Sequence, residues 1–218
     1  SGGFGSVVGA PIAGAIFGME VQSVGRIRYQ GIVPCLVASL VATEIVRLLG
    51  VPYGVYPQLP LLALDPALAL KVALAGAAFG MCSLAFIEFT QAAGKLLGRA
   101  AGRRGWLRPA LAGALIGALA WLAGSQEYLG LSEPLLAAIW AGAGVSVLAF
   151  LLKLIFTGLT VGGGFRAGEI TPLFIMGAAL GYALAPLLGA PPLLLAAVGF
   201  VSVFAGASNT PLASALIG

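Results

Sequence analysis

The chain has 218 residues, 60% of them hydrophobic and only 8% charged, with a mean hydropathy of +1.07; ordinary globular domains carry about 25% charged residues. Too few polar residues are present to cover a water-soluble surface, so the chain reads as an integral membrane protein. Histidine is absent, which excludes Ser-His-Asp catalysis, histidine-bound zinc or haem and imidazole proton shuttles, and the net charge of +4 is too small and too local to point to nucleic acid.

Taken in order, the apolar runs cover residues 7–21, 31–49, 66–97, 107–122, 135–156, 172–188 and 192–207. A perpendicular span needs about 20 residues. Several runs are shorter and 66–97 is much longer, which predicts an all-α bundle with tilted helices and helices that stop inside the bilayer. Arg26 and Arg28 form one basic loop, and Lys95, Arg99, Arg103, Arg104 and Arg108 form another. Residues 51–65 and 124–133 contain no Lys or Arg, so the basic loops are expected on the cytoplasmic side of a multi-pass cell-membrane protein, in bacteria the inner membrane.

The 33 glycines read mainly as close helix packing, as at Gly9, Ala13 and Gly18 or Gly113, Gly117 and Ala120. Cys35 and Cys82, far apart in apolar runs, read as packing residues; no metal or organic cofactor is expected. Trp106, Trp121, Trp140 and Tyr128 read as interface anchors. Glu44, Arg47, Lys71 and Glu88 read as interhelical pairs or snorkelling groups, and Glu20 as a partner of Arg26 and Arg28. Lys153, costly in lipid, is expected to hold a backbone carbonyl or a carboxylate inside the bundle.

Residues 10–18, APIAGAIFG, match residues 210–218, TPLASALIG, at an offset of 200, with Pro11, Ala13, Ala15 and Gly18 meeting Pro211, Ala213, Ala215 and Gly218. Duplicated halves are common in transporters, whose substrate sites lie near the midplane where broken helices meet. The expected organisation is one transmembrane domain, with residues 1–100 ending a first repeat and 101–218 forming most of a second. The polar run 161–172, VGGGFRAGEITP, lies before Pro211, and its first-half counterpart would precede residue 1. The chain is therefore expected to be part of a longer transporter, truncated at both ends.

That polar run is the candidate site. Glycines followed by Thr171 and Pro172 signal a helix N-terminus. If it begins within the membrane, its unpaired N–H groups and partial positive charge suit an anion; an extramembrane turn fits the spacing equally well.

The stretch LLKLIFTGLTVGGGFRAGEITPLFIMGAALG, residues 151–181, resembles the CLC family of anion channels and anion/proton exchangers, in which a Gly-x-Phe-x-Pro-type motif opens a half-membrane helix at the anion site. GAPIAGAIFGMEV (9–21) and GASNTPLASALIG (206–218) resemble that family's Pro-Leu-Ala-Gly segments of the first and second halves. The resemblance implies an inverted-repeat bundle with re-entrant helices, homodimerisation, and a gating glutamate in a Gly-Arg-Glu-Gly motif that this sequence does not contain. Residues 32–40, 111–122 and 193–203, apolar all round, are candidate dimer faces.

Three departures from the chloride pattern make the chain similar to the fluoride/proton antiporter branch: Glu169 and Thr171 in Glu-Ile-Thr-Pro, Glu20 followed by Val21 in place of a second glutamate, and Ser-Asn-Thr-Pro at 208–211. The resemblance implies an anion site at Phe165, Gly168, Glu169, Ile170 and Thr171, with Glu169 also exchanging a proton. A fixed Glu169–Arg166 salt bridge is the competing role, and a passive chloride channel the competing function. An intramembrane protease is disfavoured, since histidine and any Gly-x-Gly-Asp segment are lacking. The expected partners are fluoride or chloride, protons, lipid and a second copy of the chain.

Overall fold

The structure, a computed structural model, describes residues 1–22, 27–51, 65–166 and 168–218. Arg26 and positions 52–64 of the expected outer stretch lie outside the described residues. Every regular element among the described residues is helical. Three are long and apolar enough to cross a membrane: Tyr29–Leu48, Pro66–Ala101 and Ile170–Leu188. The chain divides into two compact units, Ser1–Pro60 with Phe204–Gly218, and Leu61–Val203.

The first unit contains α1 (Gly2–Val8), α2 (Pro11–Glu20), a 3₁₀ turn (Tyr29–Gly31), α3 (Ile32–Leu48), the last turn of α9 (Pro192–Ser208) and α10 (Pro211–Ala215). The run expected over 7–21 is broken, because Gly9 is left-handed at φ 73°, Ala10 is non-helical, and Pro11 at N1 restarts the helix. Asn209, Thr210 and Pro211 repeat this geometry: Asn209 has φ 54°, and Thr210 (φ −125°, ψ 64°) matches Ala10 (φ −120°, ψ 83°). The Ala10 N–H donates to Gly5 O at 3.1 Å and the Thr210 N–H to Ala205 O at 3.2 Å. The sequence self-match thus extends to the backbone that precedes both prolines.

α1, α2 and α3 meet where small residues remove the bulk between backbones. A Cβ on Gly14 would overlap Gly5, and one on Gly5 would strike the Ser39 hydroxyl. Phe4 stacks on Phe17 at 4.1 Å, and both rings stack on Phe204 at 5.8 and 5.9 Å. Most of α3 presents apolar side chains outward, including Val33, Val37, Leu40 and Val41, as a lipid-facing helix would.

The second unit holds α4 (Pro66–Ala101), α5 (Leu107–Ala123), α6 (Glu133–Trp140), α7 (Ala149–Gly162), α8 (Ile170–Leu188) and α9 to residue 203. At 36 residues α4 is roughly 54 Å long, more than a hydrocarbon core about 30 Å thick needs. α8 is its most buried helix, with Pro172 to Gly181 buried throughout. It packs antiparallel to α9, backbone against backbone: a Cβ on Gly177 would overlap the Gly199 carbonyl, and one on Gly181 the Leu195 carbonyl.

Several expectations need correction here. The run 135–156 is two helices, because Gly142 turns left-handed at φ 68° and the apolar but glycine-bearing tract after it is not helical. Tyr128 is not an interface anchor; it is buried and stacked on Phe156. Trp140 packs on Phe200 with its indole N–H enclosed, while Trp106 and Trp121 are exposed. Of the candidate dimer faces, 193–203 packs into this unit through Leu195, Ala196, Phe200 and Val203.

Candidate functional site

The glycines of the run 161–172 have separate duties. A Cβ on Gly162 would meet Thr90 O at 2.8 Å, and one on Gly163 would overlap Ala112, so these two let α7 close on α4 and α5. Gly164 supplies a left-handed turn at φ 89°. Only Gly168 faces open space. The end of α7 is closed by Arg108, whose Nε and Nη2 donate to Gly162 O at 3.1 and 2.8 Å.

α8 then starts at Ile170 with Glu169 as N-cap. Its first internal bond runs from the Leu173 N–H to Glu169 O, since Pro172 has no N–H to give. The amides of Gly168, Glu169 and Ile170 have no backbone partner among the described residues. Gly168 and Glu169 are exposed, Ile170 and Thr171 half-buried, and Phe165 is partly exposed beside Gly113. The chain thus brings Gly168, Glu169, Ile170 and Thr171 together at the start of a buried helix, whose partial positive charge and unpaired donors favour an anion.

Arg166 and Glu169 do not pair. The ion pair among the described residues is Arg47 with Glu44, at 2.9 Å along α3, which also makes that pair local and not interhelical. Lys71 donates to Gly189 O at 2.7 Å beyond the end of α8. Lys153, 1% exposed, donates to Tyr128 O, Gly130 O and Ser132 Oγ at 3.3, 2.6 and 2.7 Å, tying α7 to the loop before α6 as a structural lysine should.

Glu20 has a role that the sequence did not suggest. Its carboxylate, 7% exposed, accepts the Leu212 N–H at 3.1 Å and the Ala213 N–H at 2.9 Å, so it caps α10. No signal in the sequence points to this: the local cap residue Thr210 shares a hydrogen bond with the Ser208 hydroxyl at 2.5 Å, which leaves the first amides of α10 to find a distant acceptor.

All 218 residues match the family described as voltage gated chloride channel. The chain belongs to the voltage gated chloride channel family. It is 39% identical over 225 residues to a chloride/fluoride channel protein of Pseudomonas syringae pv. tomato (strain ATCC BAA-871 / DC3000), an alignment covering 98% of this chain and 48% of that protein. It also superposes on the crystal structure of a CLC-type fluoride/proton antiporter with a TM-score of 0.93 and 31% identity, over 99% of this chain and 54% of that one. The fold is therefore the CLC fold, and the chain spans about half the length of these relatives.

Proposed function

We propose that the full-length protein carries halide ions across the cell membrane, most specifically exporting fluoride in exchange for protons, as a homodimer in a lipid bilayer. One relative is a chloride/fluoride channel protein and the other a CLC-type fluoride/proton antiporter. The observation that carries the reading is the start of α8, where the free amides of Gly168, Glu169 and Ile170 adjoin a carboxylate and the Thr171 hydroxyl.

Fluoride holds water tightly, so its dehydration requires short, strong donors in exchange. Amide N–H groups and a hydroxyl are such donors, and α8 orients them without further reorganisation. A protonated Glu169 donates a hydrogen bond to the ion, and an ionised one repels it; binding and protonation are thereby coupled. A carboxylate fixed in a salt bridge would lose this coupling, and Glu169 has no ion-pair partner among the described residues.

The test is fluoride-driven proton flux by the full-length protein in liposomes. Glu169→Gln is expected to abolish the coupled proton movement, and unchanged coupling would refute the proton role. Anion current without proton movement, tolerant of Glu169→Ala, would establish a passive chloride channel instead.

A further inference from the structure

Beside the start of α8, within the second unit, lies a cavity of about 190 Å³. Its wall is one stripe of α7, on which Lys153, Thr157 and Thr160 follow at i, i+4 and i+7. Tyr128 and Phe156, stacked together, supply apolar surface, and Gly168 and Pro172 bring the N-terminal end of α8 to its edge.

The polar groups at this cavity are unequally satisfied. The Thr160 hydroxyl is committed to Phe156 O at 2.7 Å. The Thr157 side chain is 8% exposed and borders the cavity, yet its hydroxyl has no partner among the described residues. Lys153 is still more deeply buried, and the three oxygens that hold its ammonium are all neutral. Among the described residues no carboxylate lines the cavity. It therefore presents a positive charge, a helix N-terminus and one free hydroxyl donor. A buried cation held only by neutral oxygens is costly, and an anion that accepts the Thr157 hydroxyl would supply the missing counter-charge.

We propose that this cavity is a second anion site, in which a halide accepts the Thr157 hydroxyl and sits in the field of Lys153. Liquid water occupies about 30 Å³ per molecule. The cavity thus takes a halide with several waters, which distinguishes it from a site that strips the ion bare. Of the three bonds to Lys153, the 3.3 Å one to Tyr128 O is the weakest and the one the ion would replace. The inference deepens the halide-transport reading but does not depend on Glu169.

The experiment is calorimetric titration of the purified full-length protein with sodium fluoride, comparing wild type with Thr157→Val, Thr157→Ser and Glu169→Gln. Thr157→Val keeps the shape and removes the donor, and is expected to weaken one class of fluoride binding by about tenfold or more. Thr157→Ser, which keeps the hydroxyl, is expected to bind like wild type. A Thr157→Val isotherm that superposes on wild type would mean that the cavity holds only water, and would overturn the inference. So would equal losses in the Val and Ser variants, which would trace the effect to the lost packing. Glu169→Gln still presents a donor to an ion at α8, so its isotherm is expected to match wild type, and the α8 reading fails separately, on unchanged proton coupling in that variant.

Discussion

The sharpest test of the fold is at Glu20, whose two oxygens each accept one amide from α10. Pro211 at N1 has no N–H, and the Ser214 N–H is already bonded to Thr210 O at 3.1 Å, so Leu212 and Ala213 carry the amides that need an outside acceptor. Glu20→Gln keeps one oxygen and turns an NH₂ toward the other amide. That loses one hydrogen bond to a charged group, about 1.5–3 kcal/mol, plus roughly 0.5 kcal/mol of charge–helix attraction for so short a helix. Glu20→Ala exposes both amides to an apolar interior and is expected to cost about 3–6 kcal/mol. Glu20→Asp separates capping from simple charge balance. The charge is kept, but the carboxylate retreats by about one C–C bond, roughly 1.5 Å, beyond hydrogen-bond reach of amides now at 2.9 and 3.1 Å. Thermal melting of the full-length protein in detergent should rank wild type above Gln and Gln above Ala. The Gln variant should melt about 4 °C or more below wild type, at about 2 °C per kcal/mol. An Asp or Gln variant that melts with wild type would refute the cap.

Other contacts make equally direct demands. Gly177→Ala drives a methyl into the Gly199 carbonyl and should lower the yield of folded full-length protein, by about 1–3 kcal/mol of overpacking or more, while Gly80→Ala, with open space around it, should leave the melting temperature unchanged. Asn209→Ala forces a methyl side chain into left-handed backbone and should cost about 1 kcal/mol in a melting experiment, whereas Asn209→Gly should be neutral. Lys153→Met strands Tyr128 O, Gly130 O and Ser132 Oγ, and should destabilise by about 3 kcal/mol, read as faster proteolysis of the loop before α6.

Helix starts were legible where proline marks them. α4 and α9 begin at Pro66 and Pro192, where the apolar runs were read to begin, and the runs 66–97 and 107–122 end within four residues of Ala101 and Ala123, whereas the starts of α2 and α10 at Pro11 and Pro211 were read only as a self-match. Breaks within apolar tracts were not legible. Residues 141–148, AGAGVSVL, are as apolar as a helix, and in a membrane protein hydrophobicity no longer distinguishes a helix from an apolar bend. The break between α6 and α7 opens at the left-handed Gly142. At the candidate site, Thr171 and Pro172 announced the start of α8, but the glycines before it looked alike in sequence. Three serve packing or a turn, and that division depends on Thr90, Ala112 and their neighbours, which lie far away along the chain. Glu20 was opaque for the same reason, its acceptor role being fixed by amides 192 and 193 positions on.

The two proline-led helix starts of greatest interest differ in what occupies them. At α10 the free amides are matched, one for one, by a carboxylate from α2, so the end is neutralised from within the chain and offers nothing to a mobile anion. At α8 the nearest carboxylate is Glu169 itself, the N-cap, which makes no side-chain bond to the helix it precedes. A carboxylate that does not cap its own helix leaves the Gly168, Glu169 and Ile170 amides for an exogenous acceptor. It also stands where its ionisation bears on whatever binds there. The contrast singles out α8 on donor accounting alone: both ends have the proline, but among the described residues only α8 keeps its first amides unpaired.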